Sequence, residues 1–269
     1  MATTALYSTL FDTLPANVLC LLFVVMVALI SLAGLHLHHL YVETKTSAQN
    51  NEVVGIIFGA VSLIYSLILA FVILAVWQDY DELRKTIASE ADRLNSILAH
   101  SATLPQPIQQ PIKAALTSYC NQVVAQEWST LHPSQLHRPS AIPDLRLMLL
   151  QLQPQTKLEE NIYAVLDEDL SCVSDLRRSR LSFNQSHVPD LVWFILNTGS
   201  IMLIIFYYFL NVPSMKLKRF YLTFLSGYIA MCMFLVYRLD RPFAGREQIS
   251  SKPYLTILEM IKQEQLTQK

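Results

Sequence analysis

The chain has 269 residues, of which 52% are hydrophobic and only 15% charged, and its mean hydropathy is +0.34; soluble domains carry roughly 25% charged residues. That balance points to a membrane protein with a sizeable polar part. A net charge of -1 leaves no basic surplus to meet phosphates, which excludes nucleic-acid binding.

Four cysteines, Cys20, Cys120, Cys172 and Cys232, are too scattered for a CxxC pair or a disulfide framework, and read as packing residues. The six glycines are Gly34, Gly55, Gly59, Gly199, Gly227 and Gly245. None lies between Gln78 and Val188, so that connection has no phosphate-cradling loop, and nucleotide enzymes are excluded there.

Crossing the hydrocarbon core takes about 20 apolar residues in a helix. In chain order, four stretches approach this length without an Asp, Glu, Lys or Arg: Ala16 to Leu37, Val53 to Trp77, Leu191 to Val212 and Phe220 to Tyr237. Tyr41, Trp77, Tyr80, Trp193, Tyr207, Tyr208, Tyr221 and Tyr237 stand near their ends, as an interfacial belt requires. The first run is too long for a signal-peptide core and reads as a retained span.

Four spans put both termini and the long connection on one side. Near the spans that side carries Arg84, Lys85, Arg93, Arg177, Arg178, Arg180, Arg238, Arg241, Arg246 and Lys252, against Lys45, Lys216, Lys218 and Arg219 on the other. The positive-inside bias makes the termini and residues 78–188 cytoplasmic, with the "MKLKR" loop dissenting. The expected organisation is a first membrane pair over 1–77, a cytoplasmic helical region over 78–188, a second membrane pair over 189–238 and a C-terminal tail over 239–269.

After the second span, Leu83, Ile87, Leu94 and Ile97 or Leu98 keep helical spacing with no proline before Pro105. The span should continue as one rod, ~70 Å long from Val53 to His100 at 1.5 Å per residue. Leu158, Ile162, Leu166, Leu170, Val173 and Leu176 trace a second helix towards the third span, and prolines between the two punctuate shorter helices, with Pro133 to Pro143 as the longest loop. The fold class is therefore all-α: a four-span membrane protein whose cytoplasmic helical bundle is continuous with its membrane helices.

On the second span, Glu52, Gly55, Gly59, Ser62 and Ser66 share one narrow face, continued by Ile73 and Trp77. Such a stripe either packs closely against another helix or lines a pore with Glu52 at its mouth. Ile64, Ile68 and Phe71 are the candidates for an apolar neck. The basic run "RRSR" (Arg177, Arg178, Arg180) is either a topology signal in contact with headgroups or an arginine ring at an inner pore entrance. "DEDL" at 167–170 reads as a solvated helix face.

His36, His38 and His39 lie near Glu43, but their spacing does not repeat to complete a metal site. They read as interfacial residues, and no metal or cofactor is expected. No nucleophile-base arrangement can be assembled, so no enzymatic activity is expected.

The exit of the fourth span reads "YRLDRPFAGREQIS". Together with "NEVVG", "LILAFVILAVWQDY", "EADRL", "QEW" and "RRSR", it resembles the bacterial DUF4239 family, also described as bestrophin-like, over about Asn51 to Tyr254. The resemblance implies a homo-oligomeric channel for small inorganic ions in the bacterial inner membrane, a pentamer with the second span around the axis, among membrane lipids. Asp240, Arg241, Pro242, Phe243 and Gly245 match the family segment after the last span, with Ala244 interrupting it. The acidic run that clasps calcium in some bestrophins is replaced by Arg246, Glu247, Gln248, Ile249 and Ser250.

Selectivity stays open at this stage. The resemblance implies anions, a Glu52 ring would favour cations, and a non-conducting scaffold or sensor binding partners through the cytoplasmic helices is a further reading.

Overall fold

The computed structural model describes residues 14–41, 48–128, 141–151, 156–183, 188–243 and 248–267. Their regular structure is entirely helical: α1 (Ala16–Tyr41), α2 (Ala48–Ser101), α3 (Gln106–Gln122), a π turn (Val123–Glu127), α4 (Ala141–Gln151), α5 (Lys157–Phe183), α6 (Asp190–Phe209), α7 (Met215–Asp240) and α8 (Lys252–Thr267). Four of these, α1, α2, α6 and α7, contain stretches long and apolar enough to cross a membrane. The expected single helix through the second span is α2, unbroken over 54 residues.

The chain divides into two compact units, residues 1–80 with 188–248 and residues 81–187 with 249–269. In the first, α1 and α6 pack on α7. Its core joins Tyr65, Leu69 and Val76 of α2 to Leu196, Leu203, Ile229, Met233 and Val236. Two glycines permit these contacts. A Cβ on Gly199 would stand 2.7 Å from the Tyr65 ring, and one on Gly34 would stand 2.5 Å from the Tyr208 hydroxyl. Both tyrosines then reach main-chain carbonyls, Tyr65 donating to Leu196 at 3.3 Å and Tyr208 to Ser31 at 2.9 Å, so neither hydroxyl is buried without a partner.

In the second unit the stripe Leu83, Ile87, Leu94, Ile97 and Leu98 of α2 is buried, as its spacing predicts. Ile112 and Leu116 of α3, Leu145 of α4, and Leu166, Leu170 and Val173 of α5 are buried too. Pro105 caps α3 and Pro107 stands in its first turn, where a missing N–H costs nothing. Pro143 falls within α4, so the expected loop from Pro133 ends earlier than its last proline; residues 131–140 lie outside the described ones. Residues 252–267, grouped in the sequence with the C-terminal tail, form α8 and bury Tyr254, Ile257 and Ile261 in this unit. Lys113 of α3 ties α8 down through Glu264 at 2.9 Å.

Candidate functional site

The membrane half of α2 touches its own unit along one edge only. Tyr65, Leu69 and Val76 are buried, whereas Leu63, Ile64, Leu67, Phe71 and Leu74 are exposed by half or more of their surface. Such a broad apolar face needs lipid or another helix. Glu52 is exposed and, among the described residues, makes no hydrogen bond or ion pair. Its neighbour Asn51, which the sequence reading passed over, holds the start of this helix: its amide donates to the Asn211 carbonyl at 3.1 Å and accepts from the Asn211 N–H at 2.7 Å.

A Cβ at Gly55 or Gly59 would meet nothing within 4 Å, unlike one at Gly34 or Gly199. Ser62 is half-buried and Ser66 exposed, its hydroxyl bonded back to the Leu63 carbonyl at 2.8 Å. The two candidate sets do not share a face. At about 100° per residue, Ile64, Ile68 and Phe71 lie roughly opposite Gly55, Gly59, Ser62 and Ser66, with Phe71 about 20° from Ile64 on the exposed side. One pore axis therefore cannot be faced by both.

The second unit holds a buried charge site that the sequence reading did not assemble. Arg180 is fully buried; its Nε donates to Glu90 Oε2 at 2.8 Å, and its Nη2 to Glu90 Oε1 at 3.2 Å and Glu127 Oε2 at 2.8 Å. Arg177 donates to Glu127 Oε1 from Nη2 at 2.7 Å and Nε at 3.0 Å. Tyr119 donates to Glu90 Oε1 at 2.6 Å. The rings of Trp128 and Tyr254 each have their centroid 5.7 Å from the Arg180 guanidinium carbon, and Trp128 Nε1 donates to the Ile249 carbonyl at 2.8 Å.

Two arginines and two carboxylates balance, which is how charge survives burial. Burial opposes the charge on Arg180, but Glu90 outweighs it and holds the guanidinium well above its ordinary value. Burial, reinforced by Glu90, pushes the Tyr119 and Tyr254 hydroxyls far up.

This corrects the reading of "RRSR". Arg177 and Arg180 are three apart on the inner face of α5 and are spent on Glu127 and Glu90, so they form no ring at an entrance. Arg178 alone points outward, 77% exposed, near Asp175 at 3.8 Å. A signal for the site was present: Glu90 sits on the apolar stripe between Ile87 and Leu94, where a carboxylate must find a buried partner. "EADRL", "QEW" and "RRSR" thus converge on one point, with Tyr254 at the end of the matched stretch.

Other candidates are placed as follows. The "MKLKR" stretch is not a loop but the start of α7, and its Lys218 is buried, with Nζ donating to the Tyr208 carbonyl in the last turn of α6 at 2.9 Å, so it is not a free charge there. Asp240 accepts the Val188 N–H at 2.7 Å ahead of α6, and the Arg241 guanidinium lies 5.0 Å from the Tyr237 ring centroid. Pro242 and Phe243 follow in a turn, and Gly245 lies outside the described residues. His38 packs against the Tyr208 and Phe209 rings while His36 and His39 are exposed. Asp169 of "DEDL" is buried, accepting from Arg93 at 2.9 Å and Ser96 at 2.8 Å, so that run is only partly a solvated face.

A family model described as a bestrophin-like domain matches residues 6–254. Among solved structures, a point mutant of a bacterial bestrophin homologue from Klebsiella pneumoniae superposes with a TM-score of 0.60 at 17% identity, over 90% of this chain and 98% of that one. A second point mutant of that homologue gives 0.61 at 15% identity, over 90% and 97%. Its structure from zinc-based phasing gives 0.56 at 16% identity, over 91% and 98%. At such identities the likeness shows the fold. No curated protein matches the chain.

Proposed function

The chain belongs to the bestrophin-like family and is a multi-pass membrane protein, and from that premise we propose that it assembles into a homo-oligomeric ion channel with α2 around the axis. The finer designation DUF4239 and a pentameric state rest on the quoted motifs. The observation that carries the reading is the uncovered side of α2, a membrane-length apolar face that begins at the exposed carboxylate Glu52.

With the edge bearing Tyr65, Leu69 and Val76 turned to its own unit, the diametrically opposite side carries Leu63, Leu67 and Phe71. These form the apolar constriction, and Glu52 stands in a ring at the outer mouth. Ile64 and Ile68 turn to the flank. The termini and residues 78–188 are cytoplasmic, in the bacterial inner membrane. The dissenting loop weakens as an objection because Lys218 caps α6.

The resemblance carries an anion as the conducted ion, and Lys216 and Arg219 are exposed at the start of α7 to attract it. Glu52 favours the second reading, a cation channel, because an unpaired carboxylate ring attracts cations. The deciding experiment is the reversal potential of the purified oligomer in a planar bilayer under a salt gradient, wild type against Glu52→Gln. A reversal potential that moves with the substitution places Glu52 at the mouth, and its sign gives the ion. Silence from well-folded oligomer turns the reading to a scaffold.

A further inference from the structure

The buried charge site holds more donor hydrogens than acceptors. Arg180 spends Nε and Nη2 on Glu90 and Glu127, but its Nη1 is buried and has no hydrogen-bond partner among the described residues. The hydroxyl of Tyr254, on α8, is buried and unmatched in the same way. It stands near enough to Glu90 to be pushed up by that carboxylate, yet makes no hydrogen bond to it. A buried donor without an acceptor is costly, and a charged one more so.

The carboxylates cannot absorb these hydrogens. Each offers about four lone-pair positions. Glu127 Oε1 accepts from Arg177 Nε and Nη2 and from Gln122 Nε2 at 3.3 Å, and its Oε2 accepts from Arg180, so Glu127 is filled. Glu90 accepts from Tyr119 and twice from Arg180, which leaves one position, on Oε2.

We propose that a single water molecule is built into this site, accepting from Arg180 Nη1, joining it to the Tyr254 hydroxyl and donating to the remaining position on Glu90 Oε2. Three polar partners is the usual number for a buried water. A halide would take up the donors equally well, but charge decides against it. Two arginines and two carboxylates already sum to zero, so an anion would stand uncompensated in the core, which costs far more than immobilising a water. The water is then the link by which α8 meets the charge pair carried by α2 and α5. This goes beyond the channel reading and holds whether or not the protein conducts.

Crystal structures of the full-length protein test it, grown once in sodium chloride and once in sodium bromide, at a resolution that shows ordered water. One density peak should lie within about 3.2 Å of both Arg180 Nη1 and Tyr254 Oη, equal in the two salts and without anomalous signal at the bromine edge. In Tyr254→Phe that peak should be lost or displaced, because one of its partners is gone. In solution, the difference in unfolding midpoint between wild type and Tyr254→Phe should be the same at low and high chloride, since only a bound anion would stabilise the fold by mass action.

A bromine signal at the peak, or a midpoint difference that grows with chloride, would overturn the proposal and make this an anion site. The absence of any peak, with Tyr254 Oη closed directly onto Glu90, would overturn it as well. So would a peak that keeps its place and height in Tyr254→Phe, because Tyr254 would then hold no part of it.

Discussion

Arg180 and Glu90 meet at 2.8 Å with both side chains fully out of solvent, so each charge is compensated by the other and by the ring of partners around them. Removing one member leaves the other charged in the core, which costs about 3–5 kcal/mol for a buried pair. Arg180→Met strands the Glu90 carboxylate and leaves Glu127 with Arg177 alone, and should lower the unfolding midpoint more than Glu90→Gln, which keeps an acceptor for Tyr119. Denaturant unfolding of detergent-solubilised protein checks the order. An unchanged midpoint for Arg180→Met would show that the site does not stabilise its unit.

Acid should act through Glu127. Burial alone would raise its carboxyl, but the guanidiniums of Arg180 and Arg177 outweigh burial and hold it below the usual carboxylate range. Its folded pKa is lower than its unfolded one, near 4.3 for a free Glu, so the stability it contributes is present above that value and is lost as pH falls through the folded one. Wild type should therefore lose stability below about pH 4. Glu127→Gln should be less stable at neutral pH and show a flatter dependence in the acid range. Parallel acid slopes for the two proteins would assign the acid sensitivity to other carboxylates.

Hydropathy and the three-four spacing were enough to read the four spans and the continuation of α2 through Leu83 and Leu94, because those patterns are local. The charge site was not legible in that way. Whether Arg177 and Arg180 face inward depends on Glu90 and Glu127, which lie 90 and 53 residues from Arg180, and no local period links them. The π turn that ends at Glu127 has no pattern in composition either. Asp169 and α8 are different, since both followed readable stripes: Asp169 adjoins Leu166, Leu170 and Val173, and Tyr254, Ile257 and Ile261 repeat at helical spacing.

Cys120 offers a probe of the same region. Its thiol is buried beside Glu90, and burial, followed by that carboxylate, pushes it up to about 12. A thiol in that state is neither ionised nor reachable at neutral pH. Maleimide labelling followed by peptide mapping should leave Cys120 unmodified in folded protein and modify it after denaturation. With Arg180→Met, labelling should speed up if the unit loosens, giving a second view of the loss expected from unfolding.

Lys218 offers a test of structural against conductive charge at the start of α7. Its ammonium is buried on the Tyr208 carbonyl, and Tyr207 in turn donates to the Lys218 carbonyl at 3.2 Å, so the pair closes the turn between α6 and α7. Lys216, two residues earlier, is exposed. Lys218→Met should remove a partner from a helix C-terminus and lower stability by about 1–3 kcal/mol, the cost of an unpaired buried acceptor, with the reversal potential unchanged. Lys216→Gln should leave stability within about 0.5 kcal/mol and shift the reversal potential if the start of α7 lies near the conduction path. Measuring melting and reversal potential on both variants gives a two-by-two outcome, and the inverse pattern would mean that Lys218 faces the ions after all.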